Sequence, residues 1–313
     1  MNKKQIIFDC DPGLDDAIAL FMAMASPEQL EILALTTVAG NVPVSTTTRN
    51  ARMICDIAKR NDIPVYSGSE FPLKKDLVTA EFVHGETGLA GIEIFKPKTP
   101  LQPQHAVDFI IETLLGAEAN SITLVATGPL TNIASAMNKE HGILDHIQEI
   151  VLMGGAMREG GNITPSAEFN IAVDPDAAEI VLQSGCEITV MGLDVSHQVL
   201  ATAQRRDRIR ALNNPAAETI FGLLEFYNEH DFTRFGNQGV PMHDPCTVSY
   251  LLKPELFKGK ACNITVETES ELTMGHTAVD FWKLTDRPEN VTWMYEVDDD
   301  GFFELLTDRI SRY

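Results

Sequence analysis

The sequence is poor in basic residues, in cysteine and in long apolar runs. Its 313 residues carry 24 Lys+Arg against 45 Asp+Glu, a formal charge of −21. Such a chain repels phosphate backbones and anionic lipid, so nucleic acid and membrane surfaces are set aside as partners. The longest apolar run, Ala17 to Ala25, is nine residues, against the roughly 20 that cross a bilayer. Only Ile6, Ile7 and Phe8 are contiguous before the first acid, too short for the core of a signal peptide, so a cytoplasmic protein is expected. Five cysteines (Cys10, Cys55, Cys186, Cys246 and Cys262) are odd in number and contain no C-x-x-C pair, which argues against a disulfide framework or a zinc knuckle.

Hydrophobic residues make up 44% of the chain, enough for a large core. Strand-like runs at Gln5 to Phe8, Ile32 to Val38, Ile63 to Tyr66, Ile122 to Ala126, Ile150 to Met153 and Ile188 to Met191 alternate with helical segments. Those segments are Asp15 to Ala25, Thr47 to Arg60, Ala106 to Leu115, Asn132 to Met137 and Pro175 to Gln183. The alternation predicts an α/β fold with an open, mostly parallel, doubly wound sheet. After Met191 the pattern changes to helices at Arg205 to Leu212 and Ala216 to Glu229, β-branched runs at Asn263 to Val266 and Val291 to Tyr295, and a helix near Phe302 to Ile310. No low-complexity linker or repeat divides the chain, so residues 1–313 are expected to form a single domain with a C-terminal elaboration. The long Pro/Gly-rich stretch from Ser67 to Gln104 is expected to be a functional loop, a lid.

The chemistry concentrates where the first strand ends. Asp9, Asp11, Asp15 and Asp16 put four carboxylates within eight residues. In open α/β sheets that edge is where ligands bind. Strand alternation sends Asp9 and Asp11 to one side, Pro12-Gly13 makes a turn, and Asp15-Asp16 opens the next helix, where the macrodipole favours negative charge. Four converging acids need a cation or raised pKa values. Hard oxygen ligands suit Ca²⁺ or Mg²⁺ better than zinc. Capping would account for Asp15 or Asp16 but not for all four. Cys10, pointing the other way, reads as core.

Other segments add polar groups at strand ends. Gly40-Asn41 closes the second strand, and Thr127 offers a carbonyl that suits a Ca²⁺ shell. The glycine-rich stretch from Met153 to Asn162 lacks the Gly-Lys-Ser/Thr of a phosphate loop. Just after it, Asn162, Glu168 and Asn170 surround Phe169 with groups suited to sugar hydroxyls. His243-Asp244 pairs an imidazole, of ordinary pKa about 6.5, with a potential metal ligand, and His84 lies in the expected lid. Phe226, Tyr227, His230, Phe232 and Phe235 read either as helix core or as a surface that stacks on a flat heterocycle.

These residues closely resemble the inosine/uridine-type nucleoside hydrolases. The resemblance rests on Asp9 to Asp16, Thr36 to Asn41, His84 to Gly88, Thr127 to Asn132, Val151 to Gly155, Ala167 to Asn170 and His243 to Pro245, in family order over nearly the whole chain. It implies a Rossmann-like core and hydrolysis of the N-glycosidic bond of ribonucleosides to free base and ribose. It further implies one Ca²⁺ held by Asp11, Asp16, the Thr127 carbonyl and Asp244, with a bound water activated by Asp11 as general base. Asp15, Asn162, Glu168 and Asn170 would hold the ribose and Asn41 would orient the water, with Met153 and Phe169 beside the substrate. His243 would serve the departing base, with His84 over the pocket. The C-terminal third resembles the bacterial pyrimidine-preferring or broad-specificity members, and the family association implies a homotetramer or homodimer. Two rival readings are a Mg²⁺-dependent phosphatase of the haloacid-dehalogenase type, for which no phosphate-binding Lys stands in the candidate segments, and a nucleoside-binding protein without catalysis.

Overall fold

A computed structural model describes residues 3–235 and 239–313, with 230–235 by their backbone alone. The strands are β1 (Lys4–Cys10), β2 (Leu30–Thr37), β3 (Val65–Ser67), β4 (Ile122–Ala126), β5 (Ile147–Met153), β6 (Ile188–Met191), β7 (Leu200–Ala201), β8 (Val240–Pro241), β9 (Phe257–Val266), β10 (Thr277–Asp280) and β11 (Val291–Val297). The helices are α1 (Leu14–Met24), α2 (Val44–Ile57), α3 (Glu81–His84), α4 (Ala106–Gly116), α5 (Thr131–Lys139), α6 (Phe169–Val173), α7 (Pro175–Leu182), α8 (Leu193–Ser196), α9 (Ala203–Arg210), α10 (Pro215–Phe235), α11 (Pro245–Leu252) and α12 (Asp299–Ile310).

Among the described residues, nine strands form one sheet in the order β10-β9-β11-β6-β5-β4-β1-β2-β3. From β3 to β11 the pairs are parallel; β9 joins β11 and β10 joins β9 antiparallel. The C-terminal elaboration therefore extends the sheet. Strand alternation feeds two cores: in β1, Ile6, Phe8 and Cys10 face one and Ile7 faces the other. This is why Ile6, Ile7 and Phe8 follow one another with no polar residue between them.

After its acidic first turn α1 is apolar all round, because it is buried all round beneath α10, α11 and α12. It begins at Leu14, one residue before the expected Asp15. Gly13 is its N-cap, and the Gly13 N–H donates to Asp16 Oδ2 at 3.0 Å. α5 likewise begins one residue before the expected Asn132: Leu130 is its N-cap, and the Thr131 hydroxyl donates to Asp174.

The topology fixes the site. From β1 the chain winds outward through β2 and β3, then crosses back to β4 and winds the other way. β1 and β4 thus flank the switch point, where a crevice opens at the carboxyl ends.

Candidate active site

The acidic turn leaves β1 at that crevice. Asp11 Oδ2 accepts the Asn41 N–H at 2.6 Å, whereas its Oδ1 is buried with no hydrogen-bond partner among the described residues. The backbone after β2 and β4 comes close enough that only glycine fits. A Cβ at Gly40 would fall 2.1 Å from Asp11 Oδ2, and one at Gly128 would fall 2.6 Å from Oδ1. Asp16 is fastened by the Gly13 N–H, the Asn41 side-chain amide at 3.1 Å and the Thr127 hydroxyl at 2.7 Å. Asp244, at the start of α11, meets this group from the other side. Carboxylate oxygens of Asp15, Asp16 and Asp244 lie within 4.8 Å of one another.

Burial dominates the electrostatics. It pushes the carboxyls of Asp11 and Asp244 well above the ordinary range; the charge of Asp16 adds to the effect at Asp11, and those of Asp15, Asp16 and Asp11 add to it at Asp244. Asp15 is raised to about 7 by burial and by Asp16, and Asp16 is raised by burial against the pull of its donors. The carboxylates of Asp16 and Asp244 face each other at close range, so their charges repel unless something positive lies between them. No cationic side chain offsets these acids among the described residues. An orphaned buried oxygen and hard carboxylates without a counter-charge are what a divalent cation satisfies, so the donor set fits one. Asp9 stands apart: its Oδ1 accepts from Thr36 and Asn132, and burial raises it to about 7.

A cleft partly open to solvent lies over the acids. Asp15, Asn41, Thr127 and Asp244 line its floor, while Asp11 and Asp16 are wholly buried beneath. Met153, Asn162, Glu168, Phe169 and Asn170 form one wall. That wall is rigid for a local reason. Glu168 caps the short α6, its Oε1 accepting the Asn170 N–H and its Oε2 the N–H groups of Gly155 and Ile171. Asn162 Oδ1 accepts the Phe169 N–H at 2.8 Å. The Asn170 side-chain amide donates to the Thr127 carbonyl at 2.8 Å and to the Met153 carbonyl at 3.1 Å. One Thr127 lone pair is thereby spent and the second remains.

Three imidazoles also line the cleft. His243 Nδ1 lies 2.8 Å from the Ser196 hydroxyl, and burial holds its pKa down to about 3. His84 Nδ1 accepts the Leu14 N–H at 3.1 Å, so Nε2 carries the hydrogen; burial lowers its pKa to about 3 as well. Both rings are neutral near pH 7. The lid expectation needs revision in this conformation. Asn50 and Arg49 hold the Thr87 carbonyl, the Ala80 N–H donates to the Asn41 carbonyl, and His84 is locked to α1, so the segment is a fastened wall.

Every candidate site residue converges here, from Asp11 to Asp244 across the chain. Tyr227 lines the cleft, whereas Phe226 packs on the core; the side chains of His230, Phe232 and Phe235 lie outside the described part. The sequence reading missed Ala80, Phe82, Val83, Ile163 and His197. The first three share a turn with His84 and Ile163 follows Asn162, so adjacency was a usable signal for them. His197 stands in no motif.

The family model described as inosine-uridine preferring nucleoside hydrolase matches residues 6–304. A pyrimidine-specific ribonucleoside hydrolase RihA of Photobacterium profundum is 47% identical over 311 residues, 99% of each chain. Among solved structures, a plant nucleoside hydrolase superposes with a TM-score of 0.93 at 31% identity, covering 99% of each chain. A purine-preferring ribonucleoside hydrolase from Gardnerella vaginalis gives 0.91 at 35% identity, covering 98% of each.

Proposed function

This chain belongs to the inosine-uridine preferring nucleoside hydrolase family and hydrolyses the N-glycosidic bond of ribonucleosides; we propose that it prefers pyrimidine ribonucleosides and works with Ca²⁺. The observation that carries the reading is the partnerless Oδ1 of Asp11 among mutually repelling buried acids under the cleft. Asp11, Asp16, Asp244 and the second lone pair of the Thr127 carbonyl would hold the ion, with Asp15 between it and the ribose. When bound, Ca²⁺ supplies a hard positive charge that anchors water and the vicinal diol and favours the ionised form of the acids.

The side chains then divide the work. Asp11 is held by Asn41 through Oδ2 alone, so Oδ1 is placed to take a proton from water as it attacks C1′. Breaking the C1′–N bond builds positive charge on the ribose, which the ring of carboxylates stabilises. Glu168, Asn170, Asn162 and Asp15 hold the ribose hydroxyls on a wall already rigid, so orientation is fixed in advance. His243 is neutral, and in the tautomer whose Nδ1 accepts from the Ser196 hydroxyl, Nε2–H would be the donor to the departing base. A neutral donor of this kind polarises a base carbonyl without first being an imidazolium.

Pyrimidine preference is supported by the closeness to pyrimidine-specific relatives over the full chain. We read the chain as one domain and as cytoplasmic, a reading supported by five free cysteines, and among the described residues no helix is long and apolar enough to cross a membrane. The exposed Trp282 and Leu284 suit a homodimer or homotetramer. The test is release of free ribose from uridine, cytidine and inosine after chelation and after Ca²⁺ is restored. Chelation should abolish release, Ca²⁺ should restore it, and uridine or cytidine should lead in kcat/KM. Phosphate release from a monoester without ribose release would reject the reading.

A further inference from the structure

Beside His243 the cleft contains a second imidazole that the reaction described so far does not use. His197 lines the cleft, with its ring centroid 5.5 Å from that of His243. Its Nδ1 is 2.9 Å from Glu159 Oε2. A carboxylate only accepts, so Nδ1 carries the hydrogen and the plane of the ring is set by Glu159.

This contact belongs to a clamp. Asp194 and His197 stand three positions apart on the same face of α8 and its cap. Asp194 accepts the N–H groups of Met157 and Arg158 at 2.7 and 2.8 Å, and His197 takes Glu159. Between them, Ser196 holds His243. One turn of helix therefore grips three consecutive residues of the loop and positions two imidazoles on the cleft.

We propose that His197, oriented by Glu159, contacts the departing nucleobase and sets base preference, with Glu159 a positioning residue. The proposal rests on the nucleoside hydrolase reading, since it names the base-side contact of that cleft. His197 supplies a polar edge to a flat heterocycle whose ring heteroatoms differ between pyrimidines and purines. A site that hydrogen-bonds such a group discriminates against a base that cannot match it.

The test compares kcat/KM for uridine, cytidine, inosine, adenosine and p-nitrophenyl riboside in the Ca²⁺-loaded enzyme and in its His197→Ala, His197→Gln and Glu159→Gln variants. The nitrophenyl riboside presents no nucleobase, so its turnover reports the ribose and acid machinery alone. Turnover of that riboside by the unaltered enzyme tests the hydrolase reading separately. His197→Ala should lower kcat/KM for uridine by about 10- to 100-fold, change the uridine-to-inosine ratio at least ~5-fold, and leave the nitrophenyl riboside within ~3-fold. His197→Gln should keep part of the discrimination, and Glu159→Gln should move the ratio the same way by a smaller factor. An equal loss on all five substrates, or an unchanged uridine-to-inosine ratio in all variants, overturns the proposal.

Discussion

Asp11 commits one oxygen to the Asn41 N–H and leaves the other buried without a partner, an arrangement that costs stability unless function requires it. Two consequences pull in opposite directions. Asp11→Asn removes the proton acceptor and should lower kcat by about 10²–10⁴-fold. It also removes one of several repelling buried acids, so melting in chelator at pH 8 should rise by ~1–2 °C. A fall in that melting temperature would mean that repulsion is not what the acids contribute to the unloaded protein. These acids were legible in the sequence because they are neighbours: four carboxylates around one glycine turn need no tertiary knowledge to be seen. The grouping of Asp15 with Asp16 and Asp244 was less legible, since it depends on how α1 and α11 meet. His197 was not legible at all. Its meaning comes from Glu159 and His243, which are distant in the chain and brought to it by folding.

Among the elements, the parallel strands were readable because both faces are buried, which writes them as unbroken apolar runs, as at Ile122–Ala126. The sheet edge was not. β9 includes Lys258, Gly259 and Lys260, half exposed, and the readable part was only its buried end from Asn263 to Val266. β7 and β8 are two residues each, too short for any period to show. Yet the edge supports the site. Thr277 on β10 donates to the Ala156 carbonyl at 2.7 Å and accepts the Ala156 N–H at 2.9 Å, bracing the loop that carries Glu159 and Asn162. Thr277→Val keeps the shape and deletes both bonds, so urea unfolding should show a loss of about 1–3 kcal/mol with a raised KM. The start of α1 gives a sharper case. A Cβ at Gly13 would stand 2.5 Å from His84 Nδ1 and 2.7 Å from Asn41 Nδ2. Gly13→Ala should therefore lower kcat/KM by roughly 10-fold or more through displacement of His84, with an unchanged far-UV spectrum. Full activity in this variant would mean that the α3 segment yields freely and does not wall the cleft.

For the whole molecule, the buried groups make stability a function of both proton and cation. His84 and His243 have folded-state pKa values of about 3, below their ordinary 6.5. The unfolded chain therefore binds more protons between those limits, and each histidine takes away stability as pH falls from 6.5 towards 3, at up to roughly 1.4 kcal/mol per pH unit. The acids have the opposite sign. Asp9 and Asp15 are raised from 3.8 to about 7, and burial with neighbouring acids raises Asp11 and Asp244 as well, so the folded chain binds more protons and stability is lost as pH rises from 4 through 7. Without a cation, the protein at pH 8 carries the penalty of Asp9 and Asp15 in full. A divalent ion displaces the protons and restores attraction in the cluster, and it must compete with protons to do so. If Ca²⁺ is that ion, adding it at about 100 times its dissociation constant should stabilise by about 2.7 kcal/mol, on the order of 5 °C for a chain of this size. The gain at pH 8 should exceed the gain at pH 5.5 by at least ~2-fold, because at pH 5.5 the protons already quiet the acids. Thermal melts of chelator-treated protein at the two pH values, with and without millimolar CaCl₂, measure the difference. Equal shifts at both would show that the ion binds elsewhere, away from Asp11, Asp15, Asp16 and Asp244. No shift at either would remove Ca²⁺ from the mechanism and leave the acids to be explained by protonation alone.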